Sequence, residues 1–201
     1  MDYDFDRESK KPIVMKIFIK ILIWAAQIAA VIFLAYFIVY YALERTNMVG
    51  ISMENTLADK DQIIINKFSY RFSDPQRFDV IVFKKNGKEH SYYDIKRIIA
   101  LPGERLQIKD GLIYINGVVT NEIVNVEPMG NYGLAAEEIL LEQNEYFVLG
   151  DNRNNSEDSR FASVGMIRRE EIIGEAFLRT SPFNFVDKLN LIKETKTEEG
   201  E

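Results

Sequence analysis

Cysteine is missing from all 201 residues, and histidine occurs once, as His90. The first absence removes disulfides, thiol nucleophiles and thiolate metal sites together. The second excludes a histidine-built zinc site and leaves a serine nucleophile without the usual imidazole base. Basic charge is also in deficit: 25 Lys and Arg stand against 31 Asp and Glu, a net charge of −6. Nucleic-acid binders present a basic face, so no nucleic-acid partner is expected, nor any metal or cofactor. The acidic excess lies partly in the ends of the chain, with Asp2, Asp4, Asp6 and Glu8 at one and Glu194, Glu198, Glu199 and Glu201 at the other. No repeat of about 20–50 residues is present, so the length fits one domain plus a membrane segment.

Charge is absent altogether from Ile21 to Leu43, a run of 23 residues in which Gln27 is the clearly polar member. As a helix it would reach roughly 34 Å, enough for a hydrocarbon core of about 30 Å. Trp24 near one end and Tyr36, Tyr40 and Tyr41 near the other suit the interfacial aromatic belts. A cleaved signal peptide would have an apolar stretch of about 7–15 residues and a small-x-small site; Tyr40-Tyr41-Ala42 is no such site. Arg7, Lys10, Lys11, Lys16 and Lys20 precede the run and Arg45 alone lies close after it. The positive-inside rule therefore places the N-terminus in the cytoplasm and residues from Glu44 onward outside, in a single-pass protein of the cell membrane.

Beyond the run the pattern becomes one of short strands. Gln62–Lys67, Asp79–Phe83, Ile95–Leu101, Arg105–Lys109, Leu112–Ile115, Val118–Val119, Glu145–Leu149 and Glu171–Arg179 are apolar or β-branched stretches between polar breakers. Asp110-Gly111 and Asn116-Gly117 are type I′ hairpin signals. Leu134–Gln143 is a weak helix candidate, and Lys188–Glu201 lacks an apolar pattern beyond Ile192 and reads as a solvated, disordered tail. These stretches predict an all-β catalytic domain of antiparallel sheets behind one N-terminal transmembrane helix. The division is a cytoplasmic segment 1–20, a span 21–43, an extracytoplasmic domain 44–187 and a charged tail 188–201.

Two short blocks carry the chemistry. Ser52 sits in Gly50-Ile51-Ser52-Met53-Glu54-Asn55-Thr56-Leu57, and Lys96 in Tyr93-Asp94-Ile95-Lys96-Arg97-Ile98-Ile99-Ala100-Leu101-Pro102-Gly103-Glu104. A neutral lysine amine can take a serine proton, but free lysine, with a pKa near 10.4, is charged at pH 7. Burial among apolar groups disfavours the ammonium form, and Ile95, Ile98, Ile99 and Leu101 surround Lys96 in sequence. In a strand Asp94, Lys96 and Ile98 share one face. A third block, Gly150-Asp151-Asn152-Arg153-Asn154-Asn155-Ser156-Glu157-Asp158-Ser159-Arg160, completes the set.

In order, spacing and wording the three blocks resemble bacterial type I signal peptidases of the short, single-span kind found in Gram-positive bacteria. The resemblance runs from the span to about Phe183 and includes Arg77–Phe83, Val164-Gly165 and Ile172-Ile173-Gly174. It implies a Ser–Lys endopeptidase that removes N-terminal signal peptides from exported preproteins after small-x-small sites. Ser52 is then the nucleophile and Lys96 the general base. Ser156 matches a serine whose hydroxyl orients the lysine amine, and Asp158 and Arg160 match residues that stabilise the site through an ion pair. Met53 matches a residue near the substrate pocket, and Met48, Leu57 and Ile95 join it as candidate pocket lining. The chain also departs from the family pattern. Asn55 stands where proline is usual, and Ala100 where a glycine is. Gly50 replaces a serine that helps bind the oxyanion in Gram-negative relatives, so backbone N–H groups of Ser52 and Gly50 are the expected oxyanion hole.

The membrane itself supports this reading. Ser52 lies nine residues past Leu43, so extended chain keeps it within roughly 30 Å of the span's end, where a signal peptide presents its cleavage site. The expected partners are secretory preproteins and the lipid bilayer. Two other readings are a self-cleaving Ser–Lys peptidase of the repressor type and a catalytically inactive, membrane-tethered β module that binds exported chains. The span and the third block argue against the former, and the intact Ser52, Lys96 and Ser156 against the latter. A sortase-like transpeptidase is excluded by the absence of cysteine.

Overall fold

The structure is a computed structural model that describes residues 5–84, 93–120, 122 and 126–186. His90 and the charged tail from Lys188 lie outside the described residues. The chain divides into two compact units, Met1–Ala42 and Leu43–Glu201.

The first unit is one helix, α1 (Phe5–Ala42). From Val14 to Ala42 it is long and apolar enough to cross a membrane, and none of that stretch is buried against protein. From Ile21 onward the helix carries no charge on any side, so it has no water-facing stripe and suits a hydrocarbon surround. The expected span of Ile21–Leu43 needs one correction at its end: the helix stops at Ala42, and Leu43 already belongs to a strand.

The second unit is built of antiparallel sheets, with strands β1 (Leu43–Asn47), β2 (Gln62–Asn66), β3 (Val80–Phe83), β4 (Asp94–Ala100), β5 (Arg105–Lys109), β6 (Leu112–Ile115), β7 (Val118–Val119), β8 (Ile139–Leu140), β9 (Glu145–Leu149), β10 (Ile167–Arg168), β11 (Ile172–Thr180) and β12 (Phe183–Phe185). The larger sheet runs β1-β2-β11-β3-β4-β9-β10, with β12 paired to β11. The late strand β11 thus separates β2 from β3, which follow each other in sequence. The smaller sheet, β7-β6-β5-β8, is the predicted meander. Asp110 and Gly111 (φ 52° and 77°) and Asn116 and Gly117 (φ 52° and 79°) turn its hairpins in the left-handed region that type I′ turns demand.

The eight predicted strands form within a residue or two of their expected bounds. The Leu134–Gln143 helix does not. Gly133–Ala136 makes one 3₁₀ turn, and Ile139–Leu140 then pairs with Arg105 and Leu106. Strand β1 was not foreseen. Its exposure alternates only between exposed and half-buried, so it lacks the apolar signal of a core strand. Three apolar clusters fill the unit. One, of Met48, Met53, Leu57, Ile63, Ile65, Val80, Val82, Ile95, Ala176 and Val186, lies between the Ser52 turn and the sheet. Fully burying one such Leu, Ile or Met side chain contributes about 1.5–3 kcal/mol.

Candidate active site

Strand β4 pairs with β3 from Asp94 to Arg97 and with β9 only from Arg97 onward. The half from Asp94 to Lys96 therefore has one edge without a strand partner among the described residues, and Ser52 comes to that half. Lys96 Nζ lies 2.9 Å from Ser52 Oγ, and Lys96 is 4 % exposed. Burial pulls its amine below the usual lysine value, while the carboxylates of Asp94, Asp158, Glu157 and Asp151 push the other way. No salt bridge reaches Nζ among the described residues.

A compact turn presents Ser52. Glu54 N–H donates to Ile51 O, and the N–H groups of Thr56 and Leu57 both donate to Met53 O. Met53 and Leu57 point into the apolar cluster together with Met48 and Ile95, so the four expected pocket residues meet in one place; each is at most 2 % exposed. Asn55 adopts φ 89°. Proline, locked near −65°, cannot take that conformation, whereas asparagine tolerates it. The residue at this departure from the family pattern is thus one the turn accepts.

The Gly150–Arg160 block closes on the turn from the other side. Asn152 N–H donates to Ser52 O at 3.1 Å, and its side-chain amide to Ile51 O. Gly150 must be glycine for room, because a Cβ there would collide with Ser52 O and with Ser156 Oγ. Ser156 is thereby held beside Ser52, yet its Oγ is buried with no hydrogen-bond partner among the described residues. The hydrogen bond to Lys96 that the resemblance implies is not formed here. Asp158 and Arg160 make a buried two-point ion pair at 2.8 and 2.9 Å. Asp158 also accepts from Gly150 N–H, and Arg160 donates to the carbonyls of Arg153 and Asn131. Gly50 requires a correction. Its N–H donates to Asp59 Oδ1 at 2.9 Å, so it is already engaged and is not an oxyanion donor in this structure.

The sequence reading missed a second buried ion pair. Arg97, 1 % exposed, donates to Asp151 through Nε at 2.8 Å and Nη2 at 2.7 Å, and to Phe78 O through Nη1. Thr56 Oγ1 donates to the same Asp151 carboxylate. One ion pair therefore ties the Ser52 turn, the Lys96 strand and the Gly150 block together. Both residues stood in the motif strings, but nothing in a sequence says that positions 97 and 151 meet. Among the described residues no three His, Asp or Glu side chains gather as a metal site.

A family model described as "Signal peptidase, peptidase S26" matches residues 21–181. A probable signal peptidase I-2 from Synechocystis is 40% identical over 136 residues, covering 65% of this chain and 60% of that protein. Signal peptidase I T of Bacillus subtilis is 32% identical over 172 residues, covering 80% of this chain and 86% of that one. A crystal structure of a signal peptidase I from Enterococcus faecalis is 33% identical and covers 51% of this chain and 97% of that one, with a TM-score of 0.41.

Proposed function

The chain belongs to the signal peptidase family, peptidase S26, and on that premise we propose that it is a membrane-anchored serine endopeptidase that removes signal peptides from exported preproteins after small-x-small sites. The observation that carries the reading is the 2.9 Å approach of Lys96 Nζ to Ser52 Oγ at a buried lysine that has no salt bridge among the described residues. The neutral amine takes the Ser52 proton as Oγ attacks the scissile carbonyl. The resulting ammonium then protonates the leaving amine, giving a new N-terminus and an ester on Ser52. Water, deprotonated by the same lysine, hydrolyses the ester and releases the signal peptide. The Ser52 N–H is the proposed oxyanion donor; losing one such donor elsewhere costs about 10²–10³ in rate. Ser156, buried and unbonded beside Ser52, is available to orient the amine once substrate is bound.

The edge at Asp94–Lys96, unpaired among the described residues, suits an extended peptide added as a strand. The apolar cluster with Met48, Met53, Leu57 and Ile95 offers small side chains an apolar surround. Helix α1 is the proposed anchor, with its basic N-terminal flank in the cytoplasm and the catalytic unit outside, in the plane where preproteins emerge. The test is cleavage of a synthetic preprotein by the purified protein in detergent, with the cut located by mass spectrometry. Cleavage after a small-x-small site by wild type and not by Ser52→Ala is the expected result. An intact, folded wild type that binds the peptide without cutting it would instead identify an inactive tethered module.

A further inference from the structure

Ser52 occupies a turn with two unlike sides. Met53 and Leu57 face the apolar cluster, while Glu54 and Asn55 are exposed and face a cavity of about 580 Å³. The opposite wall is made by Glu127 and Pro128, and the floor by Asn152 and Arg153. This wall is fastened in place. Arg153, 2 % exposed, is ion-paired with Glu122, and Asn154 both donates to Pro128 O and accepts from Gly130 N–H. The groove is therefore a built feature of the fold, and it begins two residues from the nucleophile.

Its charge is unbalanced. Asp151 on the floor is satisfied by Arg97, and Arg153 by Glu122. Glu54 and Glu127 receive only side-chain amides, from Asn152 and Asn154, and neither has a salt bridge among the described residues. A polypeptide cut at Ser52 continues past the cut, and its next few residues, at about 3.3 Å each, must lie against the turn. The apolar side of that turn suits the small residues before the cut, which leaves the polar side for those after it.

We propose that this groove receives the first residues of the mature protein, the part released as the new N-terminus, and that Glu54 and Glu127 make it favour basic over acidic side chains there. The inference rests on the peptidase reading above. Each exposed carboxylate contributes about two- to fivefold in discrimination, and added salt weakens it.

The test uses the full-length protein in detergent and three peptides sharing one small-x-small site, with Lys-Lys, Ala-Ala or Asp-Asp at the second and third positions after the cut. The readout is the ratio of kcat/KM for the lysine and aspartate peptides. Wild type should prefer lysine by about four- to twentyfold at low salt, and Glu54→Gln with Glu127→Gln should bring the ratio close to one. Each single variant should remove about half of the logarithmic preference, so the test stands even if the double variant folds poorly. Glu170→Gln, which removes a charge outside the groove, should leave the ratio alone. No lysine preference in wild type, or an undiminished one in the glutamine variants, overturns the inference. A drop with Glu170→Gln equal to that in the groove variants overturns it too, since bulk charge would then be the cause. If no peptide of the three is cut, the peptidase reading itself fails and takes this inference with it.

Discussion

Lys96 and Arg97 are consecutive residues of β4, both nearly fully buried, and their surroundings treat a cation in opposite ways. Arg97 meets Asp151 through two hydrogen bonds and Phe78 O through a third, so its charge is compensated. Lys96 meets a serine hydroxyl and has no salt bridge among the described residues, and burial works against its proton. The alternation of a strand puts the two side chains on opposite faces. One face thus anchors the assembly while the other holds a buried amine beside a serine hydroxyl. Burial alone does not set Lys96 apart from Arg97; burial without a salt bridge among the described residues does, and groups perturbed in that way cluster at functional sites.

The sharpest way to break this contrast is Lys96→Arg. Arginine keeps its proton at any working pH, so cleavage should fall by about 10⁴-fold or more, as when one member of a catalytic unit is lost. Residual activity near wild type would remove Lys96 from the mechanism. Next in size is Arg97→Ala. It leaves Asp151 as an uncompensated buried carboxylate and should cost about 3–5 kcal/mol, read as a lower unfolding midpoint in detergent. Lys96→Met should move stability in the other direction, by on the order of +1 kcal/mol, as replacement of strained active-site groups often does.

The pH dependence of that gain follows from linkage. Below the depressed value of Lys96 both folded and unfolded chains carry the proton, and the folded state bears the full cost of a buried ammonium. As pH rises past that value toward the ordinary lysine value, the unfolded chain holds more protons and wild-type stability climbs. The advantage of Lys96→Met should therefore be largest at neutral pH and shrink in alkali. The smallest effect is that of Asp94→Asn. Asp94 shares the Lys96 face of β4 and favours the ammonium, as do Asp158, Glu157 and Asp151. Removing its charge should ease deprotonation and move the rising limb of the cleavage–pH profile to lower pH. Asp94→Glu should keep the wild-type profile, and an unmoved limb in Asp94→Asn would show that Asp94 does not act on the amine.

Much of this was legible in the chain because local chemistry determined it. The Asp-Gly and Asn-Gly turns name their own hairpins, and β-branched runs such as Ile63-Ile64-Ile65 between polar breakers favour strands. Strand β1 was hidden because among the described residues it pairs with β2 alone and its side chains are at most half-buried; Leu43-Glu44-Arg45-Thr46-Asn47 has no apolar alternation to read. Leu134-Ala135-Ala136-Glu137-Glu138 has the composition of a helix, but pairing of Ile139 and Leu140 with β5 overrides that preference. At the site the motif strings brought Ser52 and Lys96 into view. The Arg97–Asp151 pair joins residues 54 apart and was not legible. The Asp59 contact that occupies the Gly50 N–H likewise depends on how the loop folds back.

The place of β11 in the large sheet has a consequence in time. Ser52 follows β1 and leads into β2, Lys96 stands on β4, and β11 is the strand that joins β2 to β3. A ribosome that has made the first hundred residues has made both reactive groups, but not the element that draws their strands into one sheet. Long-range pairing of this kind is slow to form. A chain that ends before Ile172 would carry both Ser52 and Lys96 without the strand that stands between β2 and β3.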